Sequence, residues 1–301
     1  MSARTRALGF AWCLRTLACV PSPDLDDTRV RAPRILTVRA EPPESAPGEG
    51  AVRFTALVAG PDGTIVTTAF GWAFCSLPRA PTDPTDTSAR CLLDGPSLLP
   101  IAPRETSVVA TIPADACQTV GPETPPIGLT GAPRRAPDPD VTGGYYLPVR
   151  ATLDEAGAHD VAFARHRIRC ARPDVPTDVT RAYAARYAPN RNPVIATLTS
   201  AASPSTRGRR VRIAVTVTEA SAERYVRIDP FGTEIVDDVE HLDIAWFTNA
   251  GSFPQARTAI PAGGATSANE LAVAPDAPDR AVVWVVVHDG RGGITFAELT
   301  L

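Results

Sequence analysis

Apolar side chains recur at every second position along much of the chain. Val52, Phe54, Ala56 and Val58 share one face of an extended segment, while Arg53, Thr55 and Leu57 take the other. That is the pattern of a strand with one face buried. Val211, Ile213, Val215 and Val217 repeat it against Arg212, Ala214, Thr216 and Thr218, and a one-residue slip in register would expose all four β-branched side chains. Residues 282–287 depart from the alternation, being apolar at every position and including Trp284. So short a run predicts a strand covered on both faces.

Set side by side, the two halves repeat one module. Residues 33–58 read as strand, Pro/Gly turn, strand, and lead to Trp72 within Phe70, Gly71, Trp72, Ala73 and Phe74. Residues 193–217 do the same and lead to Trp246 within Ile244, Ala245, Trp246 and Phe247. Each half ends in a strand pair, residues 145–153 with 161–170 in the first and 281–287 with 294–299 in the second. The glycines of Asp289, Gly290, Arg291, Gly292 and Gly293 suit the tight hairpin of the last pair. This order resembles immunoglobulin-like and PKD-like modules, in which a Trp on the third strand packs between two sheets. The expectation is an all-β chain of two tandem immunoglobulin-like β-sandwiches joined by a short helical linker.

The expected organisation is a leader and tether at 1–32, a first sandwich at 33–172 with a long insertion at 76–141, a linker at 173–192 and a second sandwich at 193–301. The insertion is rich in Pro, Asp and Thr, with one strand at 108–112. Such a composition is expected to drape over the sandwich rather than form a core. In the linker, Val179, Tyr183 and Tyr187 fall at i, i+4 and i+8. They predict a helix capped by Thr177 or Asp178, stopped by Pro189 and Pro193, and packed between the sandwiches. Residues 225–228 and 234–236 flank Asp229, Pro230, Phe231 and Gly232, which predicts an inserted hairpin.

Composition supports two ordinary domains in 301 residues, and 31 Pro with 21 Gly argue against a helix bundle. The chain has no Lys, so its positive charge is all Arg; with a net charge of −3 and no basic block, it carries no nucleic-acid footprint. At the N-terminus, Arg4 and Arg6 precede an apolar run at 7–14, then Arg15, then Leu17, Ala18 and Cys19. This is the shape of an export signal ending near a lipobox, with Cys19 the candidate for lipidation. Contact with a membrane is then expected only through that lipid, since no stretch is long and apolar enough for a span.

Four cysteines remain: Cys75, Cys91, Cys117 and Cys170. They form no CxxC and no zinc-type group with His159, His166, His241 and His288. An even count after an export-like start predicts two disulfides, for which three connectivities exist; Cys75 with Cys91 and Cys117 with Cys170 is the preferred one.

No catalytic signature stands out: no GxSxG elbow, HExxH, P-loop or GxGxxG opens a helix. Neither catalytic residues nor a cofactor are therefore expected. The densest acidic run, Asp237, Asp238, Glu240, His241 and Asp243, has the residue types for Ca²⁺ but reads more simply as a solvated loop. His288 beside Asp289 reads as a strand-end histidine and a turn aspartate. Tyr145 and Tyr146, after Gly143 and Gly144, are candidates for a sugar-stacking platform, although alternation sends one of them inward.

Pro33, Arg34, Ile35 and Leu36, then Ala40, Glu41, Pro42, Pro43 and Glu44, then Pro189, Asn190, Arg191, Asn192 and Pro193, with Trp246, Phe247 and the 289–293 turn, together resemble predicted envelope lipoproteins of high-GC Gram-negative bacteria. The resemblance implies an envelope address and an immunoglobulin-like fold, and no activity. The chain departs from the type at Thr16, where a lipobox usually has Leu. The expected role is non-enzymatic binding or scaffolding of an envelope protein or glycan. The alternatives are a carbohydrate-binding accessory module and a metal-dependent hydrolase.

Overall fold

The computed structural model describes residues 28–78, 87–122, 142–155, 157–172, 175–201, 208–229 and 231–301. Cys19 and most of the expected leader lie outside the described residues. So do 79–86 and 123–141 of the insertion.

The first half folds as β1 (Arg34–Glu41), β2 (Glu44–Ser45), β3 (Val52–Gly60), β4 (Gly63–Ile65), β5 (Phe70–Cys75), β6 (Leu98–Ile101), β7 (Ser107–Ala110), α1 (Ala116–Val120), β8 (Tyr145–Glu155) and β9 (Ala158–Ile168). One sheet has β3 at its centre, flanked by β1 on one side and by β4 and β7 on the other; the second runs β2-β9-β8-β5-β6. Phe54, Val58, Trp72, Phe74, Val149 and Leu153 are buried between them. Trp72 keeps its indole N–H satisfied by donating to the Glu105 carbonyl at 2.7 Å.

The insertion contributes more than a drape. Its short apolar runs supply edge strands to both sheets, β6 to β5 and β7 to β3, and Val108, Ile112 and Ala116 enter the core. Pairing a strand edge lets a proline-rich segment bury a few apolar residues without a core of its own. Both preferred disulfides are present, Cys75–Cys91 with Cα atoms 5.9 Å apart and Cys117–Cys170 at 5.6 Å. The first closes a loop spanning 16 residues, worth on the order of 3 kcal/mol by chain entropy.

After α2 (Thr177–Arg186), the second half folds as β10 (Ile195–Ser200), β11 (Arg210–Val217), β12 (Arg224–Ile228), β13 (Ile235–Val239), β14 (Asp243–Thr248), β15 (Gly251–Ser252), β16 (Arg257–Ala259), β17 (Thr266–Val273), β18 (Val282–His288) and β19 (Ile294–Thr300). Its sheets run β10-β11-β17-β15 and β16-β14-β18-β19, with β12-β13 as the inserted hairpin. Val211, Ile213, Val215 and Val217 face Trp246, Val283, Val285 and Val287 across the core. Trp246 donates its indole N–H to Thr258 Oγ1 at 2.8 Å.

Two interiors were expected, and a third lies between the sandwiches. Leu57 and Ala59 from the outer face of β3 meet Ala245, Val282, Trp284 and Val286 from the outer faces of β14 and β18, with Val30 beside them. This explains why residues 282–287 are apolar throughout: alternate side chains fill two different cores. Trp284 is fully buried and donates to Thr64 Oγ1 of the first sandwich at 2.8 Å. Arg34 and Arg39 of β1 lie over the Phe247 and Phe296 rings at 5.8 and 5.2 Å, closing the rim with cation–π contacts. The segment ahead of β1 also crosses the seam. Val30 N–H donates to the Thr248 carbonyl at 2.7 Å, and Thr28 Oγ1 accepts from Phe253 N–H at 3.2 Å.

The helix differs from expectation in two respects. Pro176 occupies its N-cap with no side-chain cap, and none of its own residues is buried. It lies against β12 and β13, and the sandwiches are held to each other by their sheet faces.

Candidate functional site

Three of the segments quoted for the family resemblance, 40–44, 189–193 and 289–293, converge at one end of the seam, whereas 33–36 and 246–247 lie away from it. Between α2 and β10 the chain passes as Tyr187–Asn192 through a buried polar node. Asn190 faces both ways: its backbone N–H donates to Glu44 Oε2 at 3.1 Å in the first sandwich, and its amide nitrogen donates to the Asp289 carboxylate at 3.2 and 3.3 Å in the second. Asn192 repeats this, donating to the Ala40 carbonyl at 2.7 Å while accepting from Ile294 N–H at 2.8 Å. Two asparagines thus staple the linker to both bodies.

The node holds two buried arginines. Arg291 donates through Nε to Glu240 Oε1 at 2.6 Å, through Nη2 to Glu223 Oε2 at 2.8 Å and through Nη1 to the Ala188 carbonyl at 3.1 Å. Its guanidinium also lies 4.7 Å from the centre of the Tyr225 ring. Arg167 donates to Thr142 Oγ1 at 2.6 Å and the Tyr146 hydroxyl at 2.9 Å, and its Nε stands 3.5 Å from Glu44. Glu44 also accepts from the Tyr187 hydroxyl. A Cβ at Gly144 would collide with the Arg167 guanidinium, so any other residue there would have to push Arg167 out of its bonds.

The turn between β18 and β19 is built around Asp289, whose carboxylate accepts from the N–H groups of Arg291 and Gly293 at 2.8 and 2.7 Å. The expected turn aspartate is therefore found, but it is buried and tied to the linker rather than solvated. Gly292 takes φ +94°, and a side chain there would press on the Tyr146 ring.

Burial, and secondly the neighbouring Asp289 carboxylate, push the Glu240 carboxyl up to about 7 against the pull of Arg291. Asp289 is likewise raised, by burial first. A carboxyl raised from its ordinary 4.5 binds a proton in the folded chain where the unfolded chain has lost it, so its contribution to stability is full at low pH and lost as pH rises through about 7. The wild type is thus expected to lose stability relative to Glu240→Gln between about pH 5 and pH 8. Urea unfolding of both proteins at each pH checks this, and parallel profiles would refute it. His166 and His288, which burial holds down to about 3 and about 4, are common to both proteins and cancel.

Beside the node, α2 roofs a cavity of about 310 Å³. Thr180, Tyr183, Ala184 and Tyr187 hang over it from the helix; the end of β9 and the chain to Arg172 form the floor; Tyr145 and Ile228 stand at the sides. The Tyr183 and Tyr187 rings lie 5.0 Å apart, tilted by 40°. Burial raises the Tyr183 hydroxyl to about 12, so it stays neutral.

Tyr146 is no open platform, because Arg165 covers its ring at 4.1 Å and Arg167 bonds its hydroxyl. Tyr145 packs partly against the first core and partly against the cavity. The acidic run is a strand and its exit rather than a solvated loop. Asp237 pairs with Arg186, Asp238 with Arg227 at 3.0 Å and buried Glu240 with Arg291, so its carboxylates diverge. Among the described residues, no three His, Cys, Asp or Glu side chains are placed to hold a metal ion. His288 ends β18, half-buried.

Arg291 was quoted from sequence only as part of the 289–293 turn, and Arg167, in the middle of the 161–170 strand, carried no local signal at all.

No protein-family model matches the chain, nor does any curated protein sequence. Among solved structures it matches the Yersinia pseudotuberculosis adhesin InvE at 10% identity and a TM-score of 0.24, covering 88% of this chain and 58% of that one. The chain thus spans less than two thirds of that protein's length, and so slight a likeness carries no argument. Fold and site together define a disulfide-braced tandem β-sandwich protein with a tyrosine-walled cavity at its seam.

Proposed function

We propose that the protein is a non-enzymatic binding or scaffolding protein of the cell envelope, exported and anchored through a lipid on Cys19. The observation that carries this reading is the third apolar interior. It packs the two sandwiches against each other through their sheet faces beside the cavity, and a site held between packed bodies favours binding through preorganisation. Two disulfides support an oxidising compartment. The titratable groups of the node are committed to bonds that hold the linker, which supports a binding role over a catalytic one. The carbohydrate reading loses its first motivation with the covered Tyr146 ring.

Mass spectrometry of the mature N-terminus from membrane and soluble fractions tests the address. Acylated Cys19 as the first residue in the membrane fraction is the expected result; an intact Met1 in a cytosolic fraction would overturn it.

A further inference from the structure

We propose that the cavity roofed by α2 binds a small anionic amphiphile, a carboxylate or sulfonate carried on a flat apolar body. This deepens the binding reading by naming a ligand class, and it is independent of the anchor.

The size comes first. About 310 Å³ is at the lower end of small-molecule sites. The walls come next: Tyr145, Tyr183, Ile168 and Ile228 present ring and aliphatic surface, which suits a flat apolar body.

The charge then selects the head group. The ionisable acid and base side chains lining the cavity are Arg167, Arg169 and Arg172 against Glu44, three positive less one negative, or +2, in a chain of net charge −3. Glu44 is spent: it is bonded to the Tyr187 hydroxyl, the Asn190 N–H and Arg167, and offers nothing to a cationic ligand. Arg169 pairs with Glu49 at 3.0 Å in an exposed ion pair, which is weak enough to exchange for a ligand anion. Arg172 and Tyr183 line the same cavity, which places a cation beside the aromatic wall.

The test is calorimetric titration of the full purified chain with 2-naphthoate, 2-naphthalenemethanol and 2-naphthylmethylammonium. Naphthoate is expected to bind about tenfold tighter than the alcohol, with the ammonium weakest, and added salt should narrow the gap. Arg172→Gln should bring naphthoate to within about twofold to threefold of the alcohol. Ala184→Trp, which fills the cavity from the roof, should abolish binding of both. In the wild type, contacts between naphthoate protons and the Tyr183 ring protons should appear by NMR, a readout that does not depend on either variant folding. The proposal is overturned by equal affinities for the three probes, by no binding at millimolar naphthoate, by a preference that survives Arg172→Gln, or by the absence of Tyr183 contacts. None of these outcomes bears on whether Cys19 is acylated, so the two readings fail separately.

Discussion

Trp284→Ala is expected to destabilise the protein by about 3–5 kcal/mol and to split one cooperative unfolding transition into two. The side chain has no exposed surface and stands at the centre of the interior shared by the sandwiches. Removing it leaves a cavity between Leu57, Ala59, Val282 and Val286 that two opposed sheets cannot close without shifting register. Trp284→Phe is the control. It keeps most of the packing and loses the hydrogen bond to Thr64, for a cost of about 1 kcal/mol. Calorimetry, together with chemical denaturation followed separately in each half, decides the matter. A single transition displaced by less than about 1 kcal/mol would show that the sandwiches do not rely on this contact.

Arg291→Met is expected to cost about 3–5 kcal/mol at pH 8, where Glu240 is ionised in the wild type, because it leaves the buried Glu240 and the partly buried Glu223 without their cation. Part of the loss should return on acidification, since Glu240 then takes up its proton. The double variant Arg291→Met with Glu240→Met should be more stable than Arg291→Met alone, because a hydrophobic pair of similar volume often replaces a buried ion pair without loss. Urea unfolding at pH values on both sides of 7 measures both effects. If Arg291→Met unfolds like the wild type at pH 8, the polar node does not hold the linker.

Much of the fold was legible because it rests on local periodicity. The alternation at 52–58 and 211–217, the inward Trp72 and Trp246 and the doubly covered 282–287 all follow from side chains pointing to opposite faces of a strand. What covers the outer face of 282–287 was not legible. Leu57 was the one trace, an apolar residue among Arg53 and Thr55 on a face otherwise polar. Arg34 and Arg39 read as surface charge, and only the register of β1 against the second sandwich sets them over Phe247 and Phe296.

The site was less accessible for a related reason. Glu44 and Arg167 are 123 positions apart, and Glu240 and Arg291 are 51 apart. A charge that is buried with a distant partner looks in sequence like any solvated one. Likewise the insertion was judged by its average composition, whereas its edge strands depend on runs of four residues.

Because Val30 is bonded to Thr248 and packed against Trp284's neighbours, anything that pulls on the chain ahead of residue 28 loads the second sandwich directly. The linker is bypassed. A tether on that side would transmit force into the most deeply covered strands of the molecule, so the first event under tension would be the peeling of residues 28–30 from β14, with both cores still intact.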